Sequence, residues 1–228
     1  MCLRDAQVNI KNLTEIQQNI NKHSPFPEKV KIIAVTKTFS AKTILNALDN
    51  NLVIIGENKV QETLKKIKKI KHKKFEKHLI GHLQSNKTKS AVKIYDIIQT
   101  ADSEKIINKI NRFSEQINKK QKILIQINIT DNKKQYGIKK EGVVGFIEKI
   151  KQLKNIELIG LMAIGPNTTN KKTTNQYYKK IKLLQNKVLK INKEARELSI
   201  GMSGDYIEAL KHGATMIRLG TILFGTRK

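Results

Sequence analysis

One lysine ends an apolar run, where a basic side chain is unexpected. Residues 31–37 read KIIAVTK, and Lys37 is the last of them. Side chains alternate along a strand, so Lys37 shares a face with Val35 and Ile33. If that face lines the interior of a barrel, the Lys37 amine reaches the mouth, where it can attack an aldehyde to form a Schiff base. The alternative is a strand-end lysine whose ammonium group extends to water.

Two glycine-containing segments near the end of the chain predict a phosphate site. Residues 201–205 read GMSGD before a helical pattern that extends to about residue 213, and residues 218–221 read RLGT. Barrels often bind phosphate at the loops after strands seven and eight. The hydroxyls of Ser203 and Thr221 would add donors. Alternatively, Ser203 only caps the helix and Gly220 only turns the chain.

Arg218 shares strand parity with Gly220, so it points into the barrel if Gly220 faces the phosphate. A buried guanidinium needs an acceptor, which could be a ring nitrogen of a ligand or a carboxylate such as Glu57. Asn58 follows Glu57 at the end of another apolar run. This pair could orient a ligand or a neighbouring lysine, or simply begin a helix.

Metal and thiol chemistry are not expected. On one strand, His78 and His82 would lie about 13 Å apart, too far to share an ion. The single cysteine, Cys2, has no evident neighbouring base. The first residues lack the apolar core of a signal peptide, and no apolar run approaches the roughly 18 residues of a membrane span. We therefore expect a cytoplasmic protein.

Apolar, β-rich runs alternate with helical patterns along the chain. The runs are residues 31–37, 53–58, 78–82, 97–102, 122–129, 158–165, 198–202 and 216–221. The helical patterns are residues 40–50, 59–71, 103–118, 141–153 and 173–195, with a further helix at about 5–21. Nearly continuous apolar runs are typical of parallel strands. The alternation predicts one (β/α)8 TIM barrel with an extra N-terminal helix, as a single domain over residues 1–228; a doubly wound open sheet is the alternative.

The formal net charge of +26 suggests a polyanionic partner. Only five of the 45 basic residues are arginine, however, and lysine, isoleucine and asparagine are all abundant, which favours a compositional bias. The run KKIKKIKHKK at 65–74 is interpreted as the solvated back of a helix. It contains no aromatic residues for base stacking. Nucleic-acid binding remains the alternative.

Several of these segments together resemble one family. They are AVTKT at 34–38, GENKVQE at 56–62, HLIGHLQSNK at 78–87, GLM at 160–162, and SIGMS at 199–203 through IRLGT at 217–221 to Phe224-Gly225. In this order they resemble the pyridoxal phosphate homeostasis proteins (the YggS/PROSC family), which are similar to the N-terminal barrel of alanine racemase. Two departures are Thr36, where many members have serine, and Phe39-Ser40, where a proline often follows the lysine.

The resemblance implies a site for pyridoxal 5′-phosphate (PLP). Lys37 would hold the cofactor as an internal aldimine, Arg218 would face the pyridine nitrogen, and Asn58 would line the ring side. The phosphate would lie among Met202, Ser203, Gly220 and Thr221. The implied role is a carrier or buffer in PLP homeostasis without established catalysis, acting as a monomer that could supply PLP-dependent apoenzymes.

The alternative function is a PLP-dependent racemase or a Schiff-base aldolase on the same barrel. Two-base racemisation needs a second base beside the lysine. None of the five tyrosines stands at the carboxyl end of an expected strand. The sequence therefore favours a binding protein over an enzyme.

Overall fold

The computed structural model describes residues 3–70, 73–130, 135–166 and 168–226. Within these ranges the strands are β1 Lys31–Val35, β2 Ile54–Glu57, β3 Glu76–Leu79, β4 Ile97–Ala101, β5 Gln121–Asn128, β6 Ile138–Lys139, β7 Ile156–Ala163, β8 Glu197–Met202 and β9 Met216–Leu219. The helices are α1 Ile10–His23, α2 Ala41–Asp49, α3 Val60–Ile67, α4 Thr88–Ile94, α5 Glu104–Glu115, α6 Val143–Ile150, α7 Lys171–Ile191, α8 Tyr206–Lys211 and α9 Thr221–Phe224.

The sheet closes into a barrel. The strands follow one another in the order β4-β3-β2-β1-β9-β8-β7-β5, and β4 also pairs with β5. All of these pairings are parallel, and the short β6 adds to the end of β5 where Ile127 pairs with Ile138. Closure confirms the predicted eight-stranded barrel and excludes the open sheet. It also brings the carboxyl ends of the strands to one mouth.

Burial on both faces of the strands explains their nearly continuous apolar sequence. One cluster fills the interior of the barrel and consists of Ile33, Ile97, Leu124, Met162 and Met216. The opposite faces pack under the helices, with Ala34, Ile98 and Leu161 fully buried there. The alternation along β1 therefore matches the parity assigned from the sequence, with Ile33 inside and Ala34 outside.

The helices pack against the barrel through apolar side chains, and α1, α2 and α7 begin at a side-chain cap. Helix α5, for example, buries Ile106, Ile107 and Ile110. The predicted cap of α2 is confirmed, since Ser40 Oγ accepts a hydrogen bond from the Lys42 N–H at 3.0 Å. Among the described helices, none has the length and apolarity to cross a membrane.

The N-terminal helix begins later than the sequence pattern suggested. It starts at Ile10 rather than near residue 5, because Asn9 caps it by accepting from the Asn12 N–H. The preceding segment instead lies along α2, where the Ala6 N–H donates to Thr43 Oγ1 at 2.9 Å. These side-chain acceptors replace the hydrogen bonds that an earlier helical turn would have made.

The third β-α unit differs most from the predicted boundaries. The run expected at 78–82 forms a strand from Glu76 to Leu79, because Glu76 pairs in register with Ile54 of β2. Helix α4 follows at Thr88–Ile94 and was not predicted. Its seven residues are too few for the spacing of Ala91 and Val92 to indicate a helical face.

Candidate functional site

A cavity of about 300 Å³ opens at the barrel mouth, among the carboxyl ends of the strands. All seven residues predicted to form a site line this cavity, namely Lys37, Asn58, Met202, Ser203, Arg218, Gly220 and Thr221. The rest of the lining is mostly apolar, from Val35, Ile80, Met162 and Ile164, together with Gly204. None of the described lining residues is acidic. The cavity therefore combines cationic groups with an apolar wall, a lining suited to a small anionic ligand with a flat ring.

Lys37 projects from a tight turn that directly follows β1. The Phe39 N–H donates to the Thr36 carbonyl at 3.0 Å, and Thr38 adopts a left-handed backbone conformation with φ 69°. The Thr38 N–H donates to Glu62 Oε1 of helix α3 at 2.7 Å. Threonine rarely adopts this conformation, so the surrounding contacts must hold the turn in place.

The main support of this turn is a buried ionic cluster around Lys66. The Lys66 Nζ lies 2.8 Å from the Thr36 carbonyl oxygen, 2.7 Å from Glu57 Oε1 and 2.6 Å from Glu62 Oε1. Only 1% of the Lys66 side chain is exposed. Burial raises the pKa of the Glu57 carboxyl, and the Lys66 ammonium opposes part of that rise. The cluster ties helix α3 to both peptide groups that flank Lys37.

The cluster corrects the interpretation of residues 65–74 as a solvated surface. Lys65, Lys68 and Lys69 are exposed as expected, but Lys66 is buried. Residues 71 and 72 lie outside the described ranges. The Glu57–Asn58 pair meanwhile has two functions, because Glu57 holds the neighbouring lysine whereas Asn58 lines the cavity.

Arg218 enters the cavity from β9 and is 5% exposed. Its Nη1 donates to the Ser199 carbonyl at 2.7 Å and to Ser199 Oγ at 2.8 Å, and its Nη2 donates to the Ala163 carbonyl at 2.8 Å. Burial lowers the pKa of Arg218. The suggested salt bridge to Glu57 is wrong, because that carboxylate binds Lys66. Within the described chain, the Nε–H and one Nη2 hydrogen are left to bind a ligand.

The two loops predicted to bind phosphate are tied together at the mouth. Asp205 fixes the first, since its carboxylate accepts from the Met202 N–H and the Tyr178 hydroxyl, both at 2.6 Å. Ser203 Oγ accepts from the N–H of Ile222, which lies in α9 directly after the second loop, at 3.3 Å. The Ser203 side chain therefore links the loops instead of capping α8, whose cap position is Asp205.

Asn58 lines the cavity and contains a buried acceptor atom. Its Oδ1 has no hydrogen-bond partner among the described residues. Gly81 packs directly against it, because a Cβ at position 81 would lie 2.4 Å from the Asn58 carbonyl oxygen. Buried polar atoms are nearly always paired, so an unpaired Oδ1 is unusual among the described residues.

A second group of side chains at the mouth, formed by His82, Asp102 and Tyr136, was not indicated by the sequence. The His82 Nδ1 lies 2.9 Å from Asp102 Oδ2, and the His82 ring stacks on Tyr136 with centroids 3.7 Å apart. His78, by contrast, lies inside the barrel beside Glu76. Among the described residues, no group of three histidine, cysteine or acidic side chains could hold a metal ion.

Comparisons with known proteins agree on the family. The model of the alanine racemase N-terminal domain matches residues 9–228. The pyridoxal phosphate homeostasis protein of Pasteurella multocida is 37% identical over 95% of this chain and 96% of its own length, and that of Haemophilus influenzae is 36% identical over 95% and 94%.

Solved structures show the same barrel. The structure of PipY from Synechococcus elongatus with PLP bound has a TM-score of 0.85 at 28% identity, covering 94% of this chain and 99% of PipY. Alanine racemase of Clostridium difficile has a TM-score of 0.75 at 17% identity, covering 95% of this chain and 57% of the racemase, which supports the fold alone. The chain belongs to the pyridoxal phosphate homeostasis protein family and has the barrel of the alanine racemase N-terminal domain.

Proposed function

We propose that this protein binds pyridoxal 5′-phosphate in the mouth cavity and serves intracellular PLP homeostasis as a carrier or buffer. The observation that carries the proposal is the convergence of the Lys37 amine and the Arg218 guanidinium on one small cavity without an acidic residue in its described lining. The names of the relatives and the PLP bound to PipY support the same ligand.

Each lining residue has a role that its chemistry allows. PLP supplies an aldehyde that condenses with a primary amine as water leaves, and Lys37 supplies that amine. Ser203 and Thr221 offer hydroxyls to the phosphate, beside the backbone of Met202 and Gly220. Thr221 is the first residue of α9, so its N–H has no acceptor within that helix.

Arg218 and Asn58 would hold the ring. One of the two free guanidinium hydrogens of Arg218 would donate to the pyridine nitrogen, whose single in-plane lone pair accepts one hydrogen bond, and Asn58 would line the ring side. Arginine only donates, so it does not keep the ring nitrogen protonated, and the ring remains a poor electron sink. This favours storage of the cofactor over catalysis.

The finer points of this function follow from the same proposal. Residues 1–228 would act as one domain and as a monomer, because a single mouth contains every proposed ligand contact. The recipients would be PLP-dependent apoenzymes, and delivery to them places the protein in the cytoplasm. The high lysine content would be compositional, with no nucleic-acid partner.

The alternative is a racemase-like enzyme, for which Tyr136 is the observation to consider. This tyrosine is 56% exposed and stacks on His82 at the mouth, where a second base would be needed. Purified protein loaded with PLP and incubated with L-alanine should leave the enantiomer unchanged. Racemisation that is lost in Tyr136→Phe would favour the enzyme.

Absorbance titration tests the binding proposal. PLP added to the purified protein should produce a saturable visible band that disappears on borohydride reduction, and Lys37→Ala should abolish it. Lys87→Ala, at a half-buried lysine of a neighbouring mouth loop, is the matched control and should bind as the wild type does. A saturable, reducible band in Lys37→Ala would overturn the assignment.

A further inference from the structure

A line of polar side chains, all but the last of them buried, crosses the interior of the barrel. It begins at Arg218 in the mouth cavity, continues through Ser199, Gln99 and His78, each with 0% exposure, and ends at Glu76 near the base. The residues come from β9, β8, β4 and β3, so the closed barrel is what brings them together. An otherwise apolar interior carries such groups only when they are hydrogen-bonded.

The contacts along this line are continuous. Arg218 Nη1 lies 2.8 Å from Ser199 Oγ, which lies 2.7 Å from Gln99 Oε1. Gln99 Nε2 lies 2.8 Å from His78 Nδ1, and His78 Nε2 lies 2.5 Å from Glu76 Oε1. These four hydrogen bonds define the Arg218–Glu76 chain.

The donors of the Arg218–Glu76 chain can point in only one direction. A guanidinium only donates, so Ser199 Oγ accepts, and its single proton goes to Gln99 Oε1. The Gln99 amide must then donate to His78 Nδ1, which places the His78 proton on Nε2, facing the Glu76 carboxylate. The hydrogen bond with His78 lowers the pKa of Glu76, which keeps that acceptor ionised. Every member is satisfied, and the second Gln99 N–H contacts Met216 Sδ at 3.6 Å.

We propose that Ser199, Gln99, His78 and Glu76 are positioning residues that fix the rotation of the Arg218 guanidinium, so that one of its two free N–H groups points at the ring nitrogen of the ligand. This inference rests on the proposed function of the cavity. Hydrogen bonds in series polarise one another, so the Glu76 carboxylate stabilises the buried cation without touching it. A substitution that removes a hydrogen bond from the Arg218–Glu76 chain should weaken the binding of ligands through their ring nitrogen and leave other contacts unchanged.

Two ligands that differ only at the ring nitrogen distinguish a loss of Arg218 positioning from general damage to the cavity. Gln99→Leu removes both links while keeping a buried side chain of similar size. We expect its Kd for PLP to rise about five- to tenfold, the range for the loss of one ordinary neutral hydrogen bond. Its Kd for 1-deaza-PLP, in which C–H replaces the ring nitrogen, should stay at the wild-type value. The control is Thr63→Val on α3. It removes a buried hydroxyl whose oxygen lies 2.6 Å from the Tyr95 hydroxyl oxygen, and it should change neither Kd.

Equal losses for the two ligands in Gln99→Leu, or no loss, would overturn the inference. The His78 tautomer gives a second readout that needs no ligand. Nitrogen-15 NMR of the unliganded protein should show a neutral ring with the proton on Nε2, whereas an imidazolium or an Nδ1–H tautomer at neutral pH would contradict the chain. If the wild type binds no PLP, the proposed function fails, while the tautomer still decides whether the chain exists.

Discussion

The two basic residues of the cavity stand at neighbouring strands, Lys37 in the turn after β1 and Arg218 on β9, and are supported in different ways. The turn that carries Lys37 rests on the buried charges of Lys66, Glu57 and Glu62, whereas Arg218 rests on backbone carbonyls and on the neutral hydroxyl and amide of Ser199 and Gln99. A buried ion pair that loses one partner leaves an uncompensated charge, but a neutral contact loses only a hydrogen bond. The Lys37 side should therefore be the more fragile of the two.

The largest effect is expected from Lys66→Met. The change leaves the buried Glu57 carboxylate and the partly buried Glu62 carboxylate without their cation, which should lower the free energy of unfolding by about 3–5 kcal/mol in urea titrations. Lys65→Met, at the exposed neighbouring position of α3, is the control and should stay within about 0.5 kcal/mol of the wild type. Equal effects of the two substitutions would show that the Lys66 cluster does not stabilise the fold.

Arg218→Ala should have the next largest effect, on the ligand. Loss of the guanidinium removes the donors to the ring nitrogen, so the Kd for PLP should rise about tenfold or more, the effect of at least one charged hydrogen bond. Borohydride should still fix PLP on the protein, because Lys37 is intact. Arg218→Lys should not restore affinity, since an ammonium lacks the planar fork. An unchanged Kd in Arg218→Ala would make Arg218 purely structural.

The pH dependence of stability distinguishes the two supports further. Burial raises the pKa of Glu57 in the folded state, so the folded protein keeps a proton that the unfolded chain releases near pH 4.3. The stability contributed by this proton is present below that pH and is lost as the pH rises through the raised pKa. Unfolding at a series of pH values should show this loss in the wild type and not in Glu57→Gln. Parallel curves for the two proteins would contradict the raised pKa.

The smallest effect is expected from Ser199→Ala. Arg218 keeps its carbonyl acceptors, so only the hydroxyl contacts to Arg218 and Gln99 are lost, which should destabilise the protein by about 1 kcal/mol. Ser114→Ala is the comparison, because the buried Ser114 Oγ has no partner among the described residues. A loss for Ser199→Ala no greater than that for Ser114→Ala would argue against the hydroxyl as a link.

Much of the fold could be predicted from the sequence, because strands that are buried on both faces have nearly continuous apolar sequences. The apolar runs marked all eight barrel strands, and alternation placed Arg218 on an interior face. Lys37 lines the cavity as predicted, but from a turn beyond the end of β1 at Val35. The ends of the helices and strands could be predicted less accurately. Helix α1 begins at Ile10 because of a side-chain cap, and β3 begins at Glu76 because of its register with β2. The register of β3 depends on a contact between distant parts of the chain, and the Asn9 cap is a local contact that leaves no apolar periodicity.

The supports of the site were hidden for a similar reason. Glu62 and Lys66 stand four residues apart, the spacing of an ion pair on one helix face. Because residues 65–74 contain six other lysines, this spacing did not single out Lys66 in the sequence. Gln99 and Ser199 are separated by 100 positions and meet only across the closed barrel. Tyr136 reaches the mouth from the loop after β5 and lies well beyond the end of that strand.

The most direct test of the account is to locate the bound cofactor among the many lysines. The purified protein is saturated with PLP, reduced with borohydride, digested and mapped by mass spectrometry. The map should show one stoichiometric phosphopyridoxyl group, on Lys37. Modification mainly at another lysine, or spread over surface lysines without saturation, would contradict it.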